Sequence, residues 1–276
     1  MTAVRLRSNG NFCIREGWFE KAINSIMEND TNIFRGNAGT EYLGIGSSAV
    51  RSLKYWLKAA DIISGSNCEL TEFGQLLHKY DRYLDDDFSW YLIHYRLASN
   101  REDNPVANGV FNSRFGSFSK DEMVDYLTEC FRENDENVNR AYVDADFNVF
   151  ARSYINDEPD LNPEENYVGP LSRMKLLGRY GDEFRKLKPS ISSLSYLVIY
   201  YALLDLYKGK LFEIEGSIGA YNSPVRIFNL DRYVYLQYLD EMRRNGLVTL
   251  NRTASLNTMY FEMMLPLSRI FDKQYG

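Results

Sequence analysis

Three cations recur along one short stretch: Arg51, Lys54 and Lys58, three and four residues apart within LGIGSSAVRSLKYWLKAADII (43–63). At about 100° per residue they share one side of a helix. Cations so arranged make sequence-tolerant phosphate contacts, and Arg51 could also read a guanine edge. Ser47 and Ser48 stand at the start of that helix, behind Gly44-Ile45-Gly46. Free N–H groups and short hydroxyls there can seat a phosphate. Tyr55 lies at the edge of the same side. Asp and Glu are absent from Gly44 to Ala60, whereas a merely solvated face usually mixes signs to form i, i+4 pairs. The opposite side carries Ala49, Val50, Leu53, Trp56, Leu57 and Ala60, with Leu53 and Trp56 as anchors. The expected DNA-contacting set is therefore Ser47, Ser48, Arg51, Lys54, Tyr55 and Lys58. The competing reading is a surface helix with incidental bases. The glycines are not a phosphate-cradling loop, because no GK[ST] follows and GxGxxG is not met.

A second chemistry is written in HKYDRYLDDDFSWYLIHY (78–95). His78, Asp81 and Asp85 could share a helix face, and imidazole with carboxylates suits several divalent ions. A metal-dependent nuclease or hydrolase would follow. The competing reading is structural: Asp86 and Asp87 fall where an N-cap and first turn belong, and His94 sits among aromatics as a core residue. That reading is preferred, so no metal or cofactor is expected. Nucleophile motifs such as GxSxG are absent, and Cys13, Cys68 and Cys130 form no CxxC pair. The chain reads as a binding protein more than an enzyme. A disulfide framework is not expected, and a reducing, cytoplasmic setting fits.

A third group, Arg226, Arg243, Arg244 and Arg252, reads as a basic surface near the C-terminus. Arg252 lies near a hairpin tip, like a wing residue entering a minor groove.

These groups need elements to hold them. The chain has 276 residues, 45% hydrophobic and 14% aromatic, enough for a substantial core. The net charge of −6 is unevenly spread. Residues 1–60 carry a net +3, residues 61–165 a net −14, and residues 166–276 a net +5. An acidic middle lies between two mildly basic ends, and such local fields matter more to a polyanion than the total. The most apolar stretch, LSYLVIYYALLDLY (194–207), is too short to span a bilayer and contains Asp205. No membrane association is expected.

Periodicity predicts helices over Arg15–Glu28, near Asn37–Leu43 and over Ser47–Ile62. A short strand and a helix capped by Thr71 follow. That order is the grammar of a winged helix-turn-helix. The middle reads as mainly helical, with a helix over Phe88–Ala98, another capped at Ser119, and a hinge at DEPDLNP (157–163). Near the C-terminus, Ser190–Leu206 reads as an apolar helix, and Pro224–Leu230 alternates like a strand. Asp231–Arg244 reads as an amphipathic helix, and LVTLNRTASLNTMYFEMM (247–264) as two strands around a turn near Thr253–Ser255. The expected fold is mainly α with small β-hairpins. It comprises a winged-helix-like module (1–87), an acidic helical middle (88–188) and a second winged-helix-like module (189–276).

The stretches IREGWFEKAI (14–23), LGIGSSAVRSLKYWLKAADII (43–63), LTEFGQLLHKYDRYLDDDFSWYLIHYRLA (70–98) and VFNSRF (110–115) resemble domain-of-unknown-function family 4007. Members tend to be encoded beside bacterial DNA phosphorothioation and phage-defence genes. With the basic helix, that setting leads to the expectation of a non-enzymatic DNA-binding or DNA-targeting accessory subunit. Its partners would be duplex DNA, plain or phosphorothioated, and other proteins of the modification locus. An alternative is a protein–protein adaptor docking through its acidic middle. Ser47-Ser48-Ala49 departs from the bulkier or more basic run expected in relatives, which weakens phosphate binding at that spot.

Overall fold

The computed structural model describes residues 4–28, 32–156, 169–252 and 257–276. The fold mixes helices with small antiparallel sheets. Helix α1 (Trp18–Glu28) begins three residues later than its periodicity predicts, because Gly17 takes a positive φ of 75° just before it. Helices α2 (Ala38–Leu43) and α3 (Ser47–Ala59) follow, and Gly44 in left-handed geometry (φ 67°) ends α2. A two-residue hairpin, β1 (Ile63–Ser64) with β2 (Glu69–Leu70), leads into α4 (Glu72–Tyr80). The Thr71 hydroxyl caps α4, accepting from Gly74 N–H at 3.1 Å and donating to the Asp61 carbonyl at 2.6 Å. Both expectations for this segment, the strand and the cap, are met.

The middle contains α5 (Asp87–Ser99), α6 (Pro105–Asn112), α7 (Lys120–Arg132) and α8 (Arg140–Tyr154). Ser119 and Glu122 close a capping box on α7. The middle also holds a sheet that helical periodicity did not reveal. Strand β3 (Ser117–Ser119) pairs antiparallel with β5 (Glu183–Lys186), which forms a hairpin with β4 (Leu177–Tyr180). Phe118 faces Phe184 across the register, their rings stacked 5.9 Å apart. Gly181-Asp182 makes the hairpin turn with Gly181 at φ 63°, and a Gly-Asp pair is a known hairpin signal. The hinge expected at 157–163 lies outside the described residues.

In the last third, α9 (Tyr196–Tyr207) leads to β6 (Phe212–Glu213) and α10 (Ile214–Gly219). The Pro224–Leu230 segment is not a strand. It is a helical turn, α11 (Pro224–Ile227), because the Ser223 hydroxyl accepts from Val225 N–H and Arg226 N–H at 3.1 and 3.4 Å. Proline at the first helical position loses no bond by lacking its N–H. Helix α12 (Arg232–Arg244) is capped by Asp231, and β7 (Val248–Arg252) pairs with β8 (Asn257–Phe261), which also carries β6 on its other edge. The turn expected near Thr253–Ser255 lies outside the described residues.

A final helix, α13 (Leu267–Tyr275), returns to the N-terminal part. Phe271 sits 5.4 Å from Phe88, 5.6 Å from Tyr80 and 6.3 Å from Phe73. Buried apolar residues from Cys13 to Phe271 form a single cluster. The three segments expected from the sequence thus share a core. Among the described residues, no helix is long and apolar enough to cross a membrane.

Candidate nucleic-acid interface

Helix α3 is clamped from behind. Leu53 and Leu57 are fully buried. The Trp56 indole N–H donates to the Phe12 carbonyl at 2.9 Å, and the Ser52 hydroxyl donates to the Asn9 carbonyl at 2.6 Å. Asn9 passes the anchor on: its side-chain amide donates to Asp146 of α8 at 2.9 Å, and Arg7 N–H donates to the other carboxylate oxygen at 2.8 Å. Burial raises the Asp146 pKa, and these two donors oppose that shift. The N-terminal segment is a strap that ties the back of α3 to the helical middle.

The front of α3 is left open. Ser47, Ser48, Arg51 and Lys58 are exposed, and Lys54 is half-buried with its ammonium 5.8 Å above the Phe34 ring. Arg51 donates to Ser48 Oγ at 3.1 Å. Lys58 reaches the Gly65 carbonyl at 3.1 Å, joining the end of the helix to the β1–β2 turn. Gly46 stands at the N-cap without a side-chain cap bond, so the first N–H groups point outward without one. Among the described residues, Arg51, Lys54 and Lys58 form no ion pairs, in contrast to many other cations of the chain. Exposed Arg35, in the loop before α2, shares that property and adjoins Phe34. A lone arginine in a loop carries no periodic signal, so helical spacing does not single it out.

Tyr55 is placed otherwise than its helical angle implies. Its hydroxyl donates to the Asp103 carbonyl, and burial, reinforced by Asp146 and Asp103, drives its pKa up. The ring braces α3 against the α5–α6 connection, and its hydroxyl is unavailable to a ligand.

The acidic stretch proves to be capping machinery. Asp81 accepts from the N–H groups of Asp85 and Asp86 at 2.9 and 3.2 Å, and Asp86 accepts from Phe88 N–H at 2.8 Å to cap α5. His78 turns toward α1, with Nδ1 3.0 Å from Asn24 Oδ1. His78, Asp81 and Asp85 therefore do not converge. Among the described residues, no group of three or more His, Cys, Asp or Glu side chains is placed to hold a metal ion. His94 is a core residue, fully buried between Tyr154 and the Ile227 carbonyl.

Three of the C-terminal arginines, Arg226, Arg243 and Arg244, are engaged within the fold. Arg243 and Arg244 share Asp240 at 2.8 and 2.9 Å. Arg226 donates to the Asn112 carbonyl at 2.9 Å, at the end of α6. Arg252 ends β7 with its Cα opposite Asn257, beside the undescribed 253–256.

Two solved structures share this fold. A magnesium ion-bound SspB crystal structure superposes with a TM-score of 0.85 at 18% identity, covering 100% of this chain and 88% of that one. An SspB crystal structure matches with a TM-score of 0.83, the same identity and the same coverage. A curated relative, TPR repeat-containing protein MJ1428 of Methanocaldococcus jannaschii, is 25% identical over 214 residues. That match spans 67% of this chain and 36% of the relative, so the chain corresponds to little more than a third of it. The family described as protein of unknown function (DUF4007) matches residues 8–275. Nearly the whole chain is covered, and it belongs to that family.

Proposed function

We propose that this protein is a DNA-binding, non-enzymatic subunit of a bacterial DNA sulfur-modification or phage-defence system, and that it lays the open front of α3 on duplex DNA. One observation carries the reading: among the described residues, Arg51, Lys54 and Lys58 line a front without ion pairs, while the back of the same helix is fixed by Ser52, Trp56 and Tyr55. Cations without carboxylate partners are available to displace counterions from phosphates. A rigidly held helix presents them without ordering cost at the moment of binding. The order α1–α2–α3 followed by the β1–β2 hairpin supports a winged-helix reading of this part, with Lys58 tying the recognition helix to its short wing. The order α12–β7–β8 supports a second such module, with Arg252 near its tip.

The genomic setting associated with the family makes phosphorothioated duplex the natural ligand to test beside plain duplex. Other proteins of the modification locus are the expected macromolecular partners. One of the SspB neighbours is magnesium ion-bound; in this chain the geometry around His78, Asp81 and Asp85 does not fit a shared ion.

The test is fluorescence anisotropy of labelled duplexes, plain and phosphorothioated, across a salt series. Affinity should fall steeply with salt, and Arg51→Glu/Lys54→Glu/Lys58→Glu should lower the log–log slope by ~2–3, about one unit for each phosphate no longer neutralised. Equal binding by the charge-reversed variant at every salt concentration would defeat the proposal.

A second reading, a protein–protein adaptor, is favoured by a separate observation. Leu211, Met263 and Met264 are 54%, 50% and 69% exposed. Met264 lies so close to Gly209 that a Cβ there would meet its sulfur at 2.2 Å, which brings the two connections together. Exposed methionines suit adaptable docking. Salt-insensitive association with a neighbouring gene product, lost on Met263→Ser/Met264→Ser, would support this reading.

A further inference from the structure

The VFNSRF element leads to a face that α3 does not use. Val110, Phe111 and Asn112 end α6 inside the core, but Arg114 and Phe115 emerge onto the surface. The Phe115 ring stands 5.2 Å from Tyr126 of α7 in an edge-to-face contact, and the two are 38% and 37% exposed. Tyr221, 45% exposed, lies within electrostatic range of Tyr126, together with Arg226. Arg101 also hydrogen-bonds Tyr221. The Tyr221 ring is held in place, because its hydroxyl donates to buried Asn108 Oδ1, and the next residue, Asn222, is locked between Asn108, Asn112 and Ser99.

This face lies in the acidic part of the chain, yet the carboxylates of α7 are engaged elsewhere. Arg140 holds Asp121 and Asp125, Glu122 accepts from Ser119 N–H, and Glu129 pairs with Arg132. The charged groups that act on Tyr126 and Tyr221 are arginines, with Cys130 as the remaining titratable neighbour. Exposed rings flanked by guanidinium groups match the two faces of an unpaired nucleotide: a base that stacks and a phosphate that is neutralised. A duplex hides its base faces, so this surface and the α3 front would take different forms of nucleic acid.

We propose that Phe115, Tyr126 and Tyr221, flanked by Arg101 and Arg226, form a stacking surface for an unpaired stretch of nucleic acid. The proposal rests on the reading of the chain as a DNA-binding protein and gives it a second contact of distinct chemistry.

The experiment uses the full chain and three labelled probes: a dT oligomer, an abasic oligomer of equal length, and a duplex. Phe115→Ser/Tyr126→Ser alters exposed rings, and a thermal melt reports whether the fold is kept. Tyr126→Phe keeps the stacking face and controls for any loss of packing. The double variant should bind the dT oligomer at least about tenfold more weakly. It should bind the duplex as the wild type does, and Tyr126→Phe should match the wild type on every probe. The abasic oligomer should bind the wild type as weakly as dT binds the double variant. Unchanged dT binding by the double variant, or equal binding of abasic and dT strands, would overturn the proposal. So would a poly-glutamate peptide that binds as tightly as dT and is lost in the same variant, because the surface would then serve an acidic protein. The Arg51→Glu/Lys54→Glu/Lys58→Glu chain separates the two sites. It should lose the duplex and keep the stacking contribution, read as the preference for dT over the abasic strand.

Discussion

His94 on α5 and Tyr154 on α8 meet at 2.8 Å inside the core, and the other imidazole nitrogen of His94 donates to the Ile227 carbonyl of α11 at 3.0 Å. The ring is thus the neutral Nε2–H tautomer, with Nδ1 accepting from the tyrosine hydroxyl. One side chain joins elements from the middle and the last third of the chain.

That junction is acid-sensitive. Burial lowers the His94 pKa from its ordinary 6.5 to about 4. The unfolded chain takes up a proton in that window and the folded chain does not. Stability therefore falls as pH drops from about 6.5 to about 4, by up to about 3 kcal/mol from this group. Urea unfolding across that range should show the loss, and His94→Gln should remove its share. A wild type and variant with parallel pH profiles would contradict the assignment.

Gly74 lets α4 close on the loop that follows α3. A Cβ at this position would meet the Ile62 carbonyl oxygen at 2.4 Å and Leu70 at 3.0 Å. Backbone yields less readily than a side-chain tip, so Gly74→Ala should destabilise by about 1–3 kcal/mol despite alanine's better helix propensity. Chemical denaturation measures this directly. A stabilised Gly74→Ala would show that the two segments are not closely packed.

The Asp81 carboxylate accepts from two backbone N–H groups, those of Asp85 and Asp86. Asp81→Ala should cost about 1–3 kcal/mol, because the N–H groups of Asp85 and Asp86, just before α5, lose their acceptor. Added magnesium should leave the melting temperature of wild type and variant equally unchanged. A magnesium-dependent rise in the wild type that vanishes in Asp81→Ala would restore the metal reading.

Ser52 belongs to the strap behind α3 and not to the front proposed to meet DNA. Ser52→Ala should cost about 1 kcal/mol of stability by freeing the Asn9 carbonyl. It should leave the salt slope of duplex binding unchanged, since no cation is removed. Lys58→Glu should do the reverse, reducing slope and affinity with stability altered by less than about 1 kcal/mol. Denaturation and anisotropy on the same samples separate the two effects.

The amino-acid sequence alone determined the features that depend on a few neighbouring residues. Thr71, Asp86 and Ser119 announce their helices because a cap needs only N–H groups two or three residues ahead. The cationic side of α3 follows from spacing, because a helix fixes the angle between residues 51, 54 and 58. Tertiary structure decided what depends on distant groups. Tyr55, at the edge of that cationic side, turned inward because Asp103, 48 positions away, offers it a carbonyl. Strand β3 found its partner β5 more than sixty residues later, and Phe271 of α13 found Phe73 of α4 far back along the chain. Arg114 and Phe115 stand in the sequence only as part of the VFNSRF stretch that carries the family resemblance. Only folding brings Tyr126, Tyr221 and two further arginines beside them, because packing joins surfaces that chain order keeps apart.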